Sequence, residues 1–466
     1  MYGLSKLAAI GIAIVVIIVV SAAVALLYYQ QAAPATPSLT VTTSSPTVTT
    51  ETTSKVTATQ TPTTSSPATT SAAQGFAGVI KIGTTISEQG KFAHEGKQAL
   101  CGFKLAVEWV NNHGGVVING KRYKLELVYY DDKSDKAEVP KLFTRLITVD
   151  KVNFLIAPYS SSLTLAAVPI AEQYHKVILS HGGASDAIFT KGYKYIIQIL
   201  SPASYYMKPA IDFLKSTGDK DIKIAFIYED AAFAKSVMEA AKKYAKEAGF
   251  KIVLDQTYPK GTTDFSQIIE KAKAAGANVL LGGGHFQDGL QLVKQAHDLG
   301  LKLKFISILV APTLPDFYKN LGPSIAEGVT APAQWEVGVK YSPELAKKMG
   351  LEWYGPTNEE YVKAFKKECG MDPDYHAAEA SAAILFLVKA IEKAGTLDND
   401  KVREAANTLK IMTFFGPLWI DPKTGKQVGH PVVLIQWQNG KKEIIWPPEA
   451  ATAKPVYPIP NWWGKG

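Results

Sequence analysis

Cysteine is scarce in this sequence of 466 residues, which contains only Cys101 and Cys369. The two do not form a Cys-x-x-Cys pair, no cysteine and histidine spacing matches a common zinc site, and no His-Glu-x-x-His sequence occurs. We therefore expect no metal and no cofactor. The two cysteines could form a disulfide in an extracellular protein, but free thiols, with Cys101 on a helix face, fit the sequence as well.

The motifs of several enzyme classes are also missing from the sequence. Gly282, Gly283 and Gly284 follow a strand-like run, but no GxxxxGK[ST] phosphate loop occurs. No serine lies in the GxSxG turn that presents the nucleophile of an α/β-hydrolase. We therefore expect that the protein is not an enzyme, and a secreted hydrolase is the least favoured alternative.

The sequence also lacks a concentrated positive charge. It has 50 Lys and Arg against 42 Asp and Glu, which gives a net charge of +8 at pH 7. No dense basic block with interleaved aromatic residues occurs, so we do not expect nucleic acid as a partner.

A long apolar run stands close to the beginning of the sequence. Lys6 is followed by an uncharged apolar stretch over residues 7–27, which is long enough to cross a hydrocarbon core of about 30 Å as a helix. The apolar region of a cleaved signal peptide usually has only about 7–15 residues. We therefore interpret residues 1–30 as a membrane anchor, with a cleaved signal as the alternative.

Residues 31–77 have a different composition from the rest of the chain. The stretch over residues 34–71 consists almost entirely of Thr, Ser, Pro, Ala and Val. Such a segment cannot bury an apolar core, and tracts of this kind are typical of disordered, O-glycosylated stalks. An anchor followed by a stalk predicts a folded domain held at the outer surface of the cell.

From Gly78 onward, strand-like and helix-like patterns alternate, which predicts α/β units with parallel sheets. A first unit extends to about residue 200, and a second unit of similar size begins near Ser201. Later in the chain, helices precede a β-rich stretch over residues 430–448, where Asn439-Gly440 between two strand-like runs predicts a hairpin.

Three short features could carry chemistry. The sequence "PYSSSLT" places Ser160, Ser161 and Ser162 between a strand and a helix, where they could act as a nucleophile, a helix cap or part of a ligand cradle. His285 follows a glycine run at the end of a strand, where open α/β sheets place ligands. The pair Asp131-Asp132 could bind a cation, although capping of a loop is the favoured interpretation.

Several ordered segments resemble one family, the extracellular substrate-binding proteins of ABC importers of the branched-chain amino acid type. The resemblance runs from about Ile80 to Pro448 and is carried by "IKIGTTIS", "AVEWVNNHGGV", "LELVYYDDKSD", "LIAPYSSSLTLAAVPIAE", "YPKGTTDFSQIIEKAKAAGANVLLGGG" and "QAHDLGLK". Together with the apolar run and the stalk, the sequence resembles the membrane-anchored forms found in archaea.

The resemblance implies a two-lobed periplasmic-binding-protein-like fold of type I, in which each lobe is a doubly wound parallel sheet and the chain crosses three times between them. Carried onto this sequence, the first lobe comprises residues 78–200 plus 331–414. The second lobe comprises residues 201–330 plus 415–450, and residues 451–466 form a tail. The ligand binds in the cleft, and the lobes close on it by a hinge motion.

The resemblance also implies a set of ligand-contacting residues. Ser160 and Ser161 contact a ligand carboxylate, whereas Ser162 caps the helix. The remaining contacts are Gly182, Gly183, Ala184, Ser185, Phe233, His285, Val310 and Trp335.

Two of these positions depart from the family's pattern. Where the family has a threonine hydroxyl, this sequence has Ala184. The acid that pairs with an amino group in the family falls near Val310, where this sequence has no acid. Glu336 or Asp288 could supply the missing acid from a neighbouring position. The ligand is therefore expected to be an amino acid or a related carboxylate or amide, with an aromatic or other organic acid as the alternative.

The partners implied by the resemblance are a small molecule, the membrane subunits of the importer and, through the apolar run, the membrane itself. A sensor of the same fold that acts through a separate signalling partner is an alternative of another class.

Overall fold

The computed structural model describes residues 75–460. The predicted anchor, the stalk up to residue 74 and the last six residues lie outside this range. Within residues 75–460, none of the helices combines the length and the apolar character that a membrane crossing requires.

The elements follow in the alternating order that the sequence predicts. The strands are β1 Gly78–Ile86, β2 Val116–Ile118, β3 Lys121–Asp131, β4 Phe154–Ile156, β5 Ile178–Ser180, β6 Ile196–Gln198, β7 Lys223–Glu229, β8 Lys251–Tyr258, β9 Val279–Gly283, β10 Phe305–Ile308, β11 Thr330–Ala333, β12 Glu352–Trp353, β13 Ile411–Thr413, β14 Gly416–Leu418, β15 Val433–Gln438 and β16 Lys441–Trp446. The helices are α1 Ala93–Asn112, α2 Val139–Thr148, α3 Ser161–Gln173, α4 Lys208–Ser216, α5 Ala232–Glu247, α6 Ser266–Ala274, α7 Phe286–Asp298, α8 Asp316–Leu321, α9 Pro323–Ala326, α10 Pro343–Lys348, α11 Asn358–Cys369, α12 Tyr375–Ala394 and α13 Asn399–Asn407.

The first sheet has the strand order β2-β3-β1-β4-β5-β6. All neighbouring pairs are parallel except β2 with β3. Phe154 and Ile156 of β4 belong to the apolar core formed with α1 and α12, whereas Leu155 belongs to the core formed with α2 and α3. Both faces are thus covered by helices, which explains why these strands read as continuous apolar runs.

The second sheet has the order β16-β15-β11-β10-β9-β7-β8. Strands β7 to β11 pair in parallel, whereas β15 is antiparallel to β11 and β16 is antiparallel to β15. Asn439 and Gly440 connect β15 to β16 with φ angles of 52° and 74°, as a two-residue hairpin turn requires. The predicted hairpin is therefore confirmed.

A small sheet of order β12-β13-β14 packs with α11, α12 and α13 into the core of the first lobe. Helices α1 and α12 approach closely, since a Cβ added at Gly102 would lie 2.2 Å from the carbonyl oxygen of Ala377. A disulfide between Cys101 and Cys369, with Cα atoms 6.4 Å apart, joins α1 to α11. The structure thus selects the disulfide over free thiols.

The chain passes between the lobes three times: between β6 and β7, between β11 and β12, and between β14 and β15. The result is a two-lobed, type I periplasmic-binding-protein fold, as predicted. Strand β11, which ends at Ala333, pairs within the second sheet. Strand β14, which ends at Leu418, pairs within the small sheet of the first lobe. The lobe limits given by the sequence pattern remain predictions.

Candidate functional site

The three crossings are hydrogen-bonded to one another. The backbone N–H of Ser201 donates to the Gln334 side-chain oxygen at 2.8 Å, and the Ser201 hydroxyl donates to the His430 carbonyl at 2.5 Å. His430 Nε2 lies 2.7 Å from the Gln334 carbonyl, so this nitrogen carries the proton and donates. Burial lowers the pKa of His430 to about 4, which keeps the ring neutral at pH 7. These bonds fix the crossings relative to one another at the base of the cleft.

The serine turn lies at the N-terminus of α3. Ser160 is the residue before the helix, and its carbonyl accepts a bond from Thr164 N at 2.7 Å. The Ser160 and Ser162 hydroxyls lie 2.9 Å apart. The prediction that Ser162 caps the helix is wrong, because Ser162 lies in the first turn and the cap position belongs to Ser160, whose side chain makes no cap bond.

Ser161 connects the turn to the loop after β5. Its hydroxyl accepts a bond from Ser185 N at 3.0 Å, and the Ser185 hydroxyl lies 2.8 Å from that of Ser236 in the second lobe. A Cβ at Gly182 would lie 2.5 Å from the Tyr159 ring, and one at Gly183 would lie 2.5 Å from the Thr164 hydroxyl. The glycines therefore allow the loop to pack directly on the serine turn.

His285 is contributed by the second lobe and precedes α7. Its backbone N–H bonds to the Asp288 carboxylate, which forms a capping box. Its Nδ1 lies 2.8 Å from the Tyr159 hydroxyl of the first lobe. Burial, followed by the charge of Lys91, holds the His285 pKa well below its usual value. The neutral ring and the Tyr159 phenol thus form a hydrogen bond across the cleft.

A small cavity between the lobes adjoins this bond. Its volume is about 10 Å³, roughly the space of a single water. Gly182, Phe233 and His285, which the sequence predicts as ligand contacts, line it. Five further lining residues were not among the predicted contacts: Tyr159, Leu200, Tyr206, Tyr375 and Glu379.

Glu379 is the most unusual member of this lining. Its side chain is fully buried on the first lobe's helix α12, and neither carboxylate oxygen has a hydrogen-bond partner. Burial, followed by the charge of Asp374, raises the pKa of Glu379 well above its usual value. A lone acid within the apolar sequence "YHAAEASAAI" is the signal that could have identified it.

Other predicted contacts lie away from the cavity. The Ala184 side chain is buried in the second lobe's core. Val310 also lies in that core, and its carbonyl accepts a bond from Thr313 at 2.7 Å. Trp335 is fully buried among Tyr361 and Phe414, and its Nε1 donates to the Phe414 carbonyl at 3.1 Å.

Glu336 and Asp288, which were considered as sources of the acid missing near Val310, already have ion-pair or hydrogen-bond partners in the protein. Glu336 pairs with Lys442 at 2.8 Å. Asp288 accepts a bond from the Tyr258 hydroxyl at 2.6 Å and lies 3.6 Å from the Lys91 ammonium. Among the acids considered, Glu379 is the one that lines the cavity with both oxygens unpartnered.

The loop before α1 and the first turn of α1 bring the rims of the lobes together. Lys91 pairs with Glu229, and His94 Nδ1 lies 3.2 Å from Asp316. The Phe286 N–H, at the start of α7, donates to Glu95 at 3.2 Å. Burial raises the pKa of Glu95. The described conformation is therefore one in which the lobes are closed on each other.

The acid pair at the end of β3 organises the adjacent loop. Asp132 is buried and accepts bonds from the hydroxyls of Thr85 at 2.7 Å and Ser87 at 2.6 Å, and from Ser134 N at 2.9 Å. Within residues 75–460, no group of three or more His, Cys, Asp or Glu is placed to hold a metal ion.

Comparison with known proteins agrees with this architecture. A family model described as Periplasmic binding protein matches residues 79–442. Leu/Ile/Val-binding protein homolog 7 of Brucella suis biovar 1 (strain 1330) is 26% identical over 388 residues, which cover 80% of this chain and 93% of that protein.

Solved structures show the same fold. A branched-chain amino acid transporter substrate binding protein of Streptococcus pneumoniae, in complex with isoleucine, has a TM-score of 0.66 at 23% identity and covers 79% of this chain and 100% of its own. A solute binding protein of an ABC transporter from R. palustris, in complex with 4-hydroxybenzoate, has a TM-score of 0.66 at 23% identity and covers 82% of this chain and 98% of its own.

Proposed function

The chain belongs to the periplasmic binding protein family, and we propose that it is an extracellular solute receptor. It binds a small molecule between its lobes and delivers it to the membrane subunits of an ABC importer. The observation that carries this proposal is the cavity enclosed by side chains of both lobes, next to three hydrogen-bonded crossings. Because the lining comes from both lobes, a ligand there favours the closed form, which is the form that an importer can distinguish from the open one.

We propose that the ligand carries a carboxylate or an amide at the serine turn. The N-terminus of α3 offers backbone N–H groups and a partial positive charge to an anion. Ser160 and Ser161 lie there, both about 1% exposed. A ligand larger than the cavity of about 10 Å³ requires the lobes or the side chains to move apart, which the two-lobed fold allows through its crossings.

We further propose that residues 7–27 anchor the receptor in the membrane and that the Ser/Thr/Pro-rich stretch after them acts as a stalk. The support is the length and apolar character of the first segment and the composition of the second. Alkaline carbonate extraction of cell membranes tests the anchor. Retention in the membrane pellet is expected, and release into the supernatant contradicts it.

Ligand binding is tested with the full-length chain in a mild detergent. Amino acids, their amides and aromatic acids are screened by thermal shift and then by calorimetry. A ligand at 100 times its dissociation constant adds about 2.7 kcal/mol to the free energy of unfolding. Conversion of a bound compound into a product would contradict a receptor role.

The serine turn is tested with the double variant Ser160→Ala and Ser161→Ala. We expect carboxylate ligands to bind about tenfold or more weakly, because two buried hydroxyls are lost from an anion site. Ser342→Ala is the matched control, because Ser342 caps α10 by accepting a bond from Leu345 N. Unchanged affinity in the double variant would restrict the turn to a structural role.

A further inference from the structure

The lining of the cavity restricts the chemistry of the ligand beyond the carboxylate discussed above. Glu379 lines the cavity, is fully buried and has no hydrogen-bond partner on either oxygen. None of the cavity's lining residues, all of which the structure describes, is lysine or arginine. A buried carboxylate without a partner is costly, so a bound molecule that supplies a positive group would remove an unfavourable feature of the closed form.

Aromatic rings surround the same cavity. Tyr206 and Phe233 have ring centroids 5.2 Å apart, and Phe233 is 5.7 Å from the His285 ring. Tyr159 is 5.5 Å from His285 on one side. On its other side, the Tyr159 ring centroid is 5.1 Å from that of His376. The His376 ring in turn stacks on the Tyr375 ring, with centroids 4.0 Å apart. We call these six residues the aromatic belt: Tyr159, Tyr206, Phe233, His285, Tyr375 and His376.

The belt combines rings of both lobes with one acid. Phe233 and His285 come from the second lobe, whereas Tyr375 and Glu379 lie one turn apart at the start of α12 in the first lobe. The faces of aromatic rings attract cations, most strongly where water is excluded. The site therefore completes its cation-attracting surface only when the lobes are closed.

The positive charges nearest the belt are already engaged. Lys91 pairs with Glu229 and lies 3.6 Å from Asp288. His285 is neutral, as described above. His376 Nδ1 lies 3.2 Å from Asp374, and Lys260, whose charge also lowers the pKa of His285, does not line the cavity. The carboxylates Glu95 and Asp374 lie close by, and Asp374 caps α12 by accepting a bond from His376 N at 2.8 Å. No protein cation is thus placed to neutralise Glu379 among the residues that line the cavity.

Resting on the proposed function, we infer that the ligand carries a cationic nitrogen, an amine or a quaternary ammonium, which binds to the Glu379 carboxylate within the aromatic belt. The acid that the sequence pattern lacks at Val310 is then supplied from α12 of the other lobe. A zwitterion satisfies both ends of the site, with its carboxylate at the serine turn and its nitrogen at Glu379. A benzoate-like anion leaves Glu379 without a partner.

The test compares ligands that differ only in this charge, using the full-length chain and calorimetry. Glycine betaine is paired with 3,3-dimethylbutanoate, isoleucine with 3-methylpentanoate, and choline with 3,3-dimethyl-1-butanol. 4-Hydroxybenzoate is measured alongside. In at least one pair, the compound with the cationic nitrogen is expected to bind tenfold or more tightly than its counterpart without that nitrogen, since a hydrogen bond to a charged group corresponds to a factor of about 10–150.

The variant Glu379→Gln keeps the shape of the side chain and removes its charge. It is expected to weaken the binding of the compound with the cationic nitrogen about tenfold or more and to leave the binding of its counterpart without that nitrogen nearly unchanged. Glu392→Gln is the matched control, because Glu392 lies on the same helix, away from the cavity, and pairs with Lys389 at 3.0 Å. A cooperative thermal unfolding transition of Glu379→Gln, with a midpoint no lower than that of wild type, shows that the variant is folded.

The outcomes separate the two proposals. Tightest binding by 4-hydroxybenzoate or by a counterpart without the cationic nitrogen would overturn the cation inference and leave the receptor function intact. Unchanged affinity of Glu379→Gln for the compounds with the cationic nitrogen would do the same. Binding by none of these compounds would overturn both the cation inference and the ligand class given under the proposed function.

Discussion

The Tyr159 hydroxyl of the first lobe and His285 Nδ1 of the second share a buried hydrogen bond of 2.8 Å. The two residues are 126 positions apart in the sequence, and each stands next to a feature of the site. Tyr159 precedes the serine turn, and His285 precedes α7. The bond therefore exists only when the lobes are closed, and it reports on closure directly.

We expect Tyr159→Phe to weaken ligand binding about two- to tenfold, because the closed form loses one hydrogen bond of about 0.5–1.5 kcal/mol. Calorimetry measures the effect. Tyr130→Phe is the control, because the Tyr130 hydroxyl bonds to Asp150 within the first lobe at 3.0 Å. Equal affinities of Tyr159→Phe and wild type would show that this bond does not contribute to closure.

Lys91→Met is expected to shift the protein toward open conformations. The change leaves Glu229, whose side chain is 2% exposed, without its cation, and an unpaired buried charge costs about 3 kcal/mol or more. Opening of the lobes rehydrates Glu229, so the radius of gyration in small-angle X-ray scattering should increase. Lys141→Met removes only an exposed ion pair with Glu138 at the start of α2 and should leave the scattering unchanged. An unchanged radius of gyration in Lys91→Met would show that the pair of Lys91 with Glu229 does not hold the lobes closed.

Stability should depend on pH through His430. The folded pKa of about 4 lies below the ordinary value of 6.5, so the unfolded chain binds more protons between these values. The contribution of His430 to the free energy of unfolding is full above pH 6.5 and is lost as pH falls through 4. The total loss is about 3 kcal/mol. Unfolding of His430→Gln at pH 4.5 and 7.5 should show a smaller loss than wild type. The exposed His113→Gln should behave like wild type, and identical slopes for all three would refute the assignment.

Glu379 should change the pH dependence of stability in the direction opposite to His430. Its folded pKa is raised above the ordinary value near 4.5 by burial and by Asp374, and Tyr159, Tyr206 and Tyr375 interact with the same carboxyl. Its contribution to stability is full below pH 4.5 and is lost as pH rises through the folded pKa. Without ligand, Glu379→Gln should lack this loss when unfolding is followed from pH 4.5 to 8. A loss as large as that of wild type would place its origin elsewhere.

Reduction of the disulfide should destabilise the first lobe. The bond between Cys101 and Cys369 closes a loop of 268 residues and joins α1 to α11, and loss of such a bond typically costs about 2–5 kcal/mol. The thermal midpoint should fall on addition of a reductant. The double variant Cys101→Ala, Cys369→Ala should have the lower midpoint under both conditions. A midpoint of wild type that is insensitive to reductant would show that the bond contributes little.

The elements and the fold could be predicted because periodicity is local. Apolar residues at helical spacing over residues 96–115 predict a helix there, and α1 spans Ala93–Asn112. The sequence "YKLELVYYDD" over residues 123–132 predicts a strand, and β3 spans Lys121–Asp131. Asn439-Gly440 identified the hairpin, because few residues other than these accept positive φ at both turn positions.

The candidate site was only partly predictable. Gly182, Phe233 and His285 were identified from the resemblance, and they line the cavity. Tyr206, Tyr375 and Glu379 were not, because each lies on a segment whose local pattern indicates only an apolar helix or a connection. The fully buried Glu379 could be recognised from the sequence only as an acid out of place on an apolar face.

The sequence by itself determined the two α/β units, the hairpin and the serine turn, since each depends on residues close together in the chain. The tertiary structure alone decided which segments meet: the pairing of Cys101 with Cys369, the bond between Tyr159 and His285, and the position of Glu379 beside rings of the other lobe. The physical reason is that these contacts depend on how three chain crossings bring two separately packed cores together, and periodicity contains no information on that arrangement.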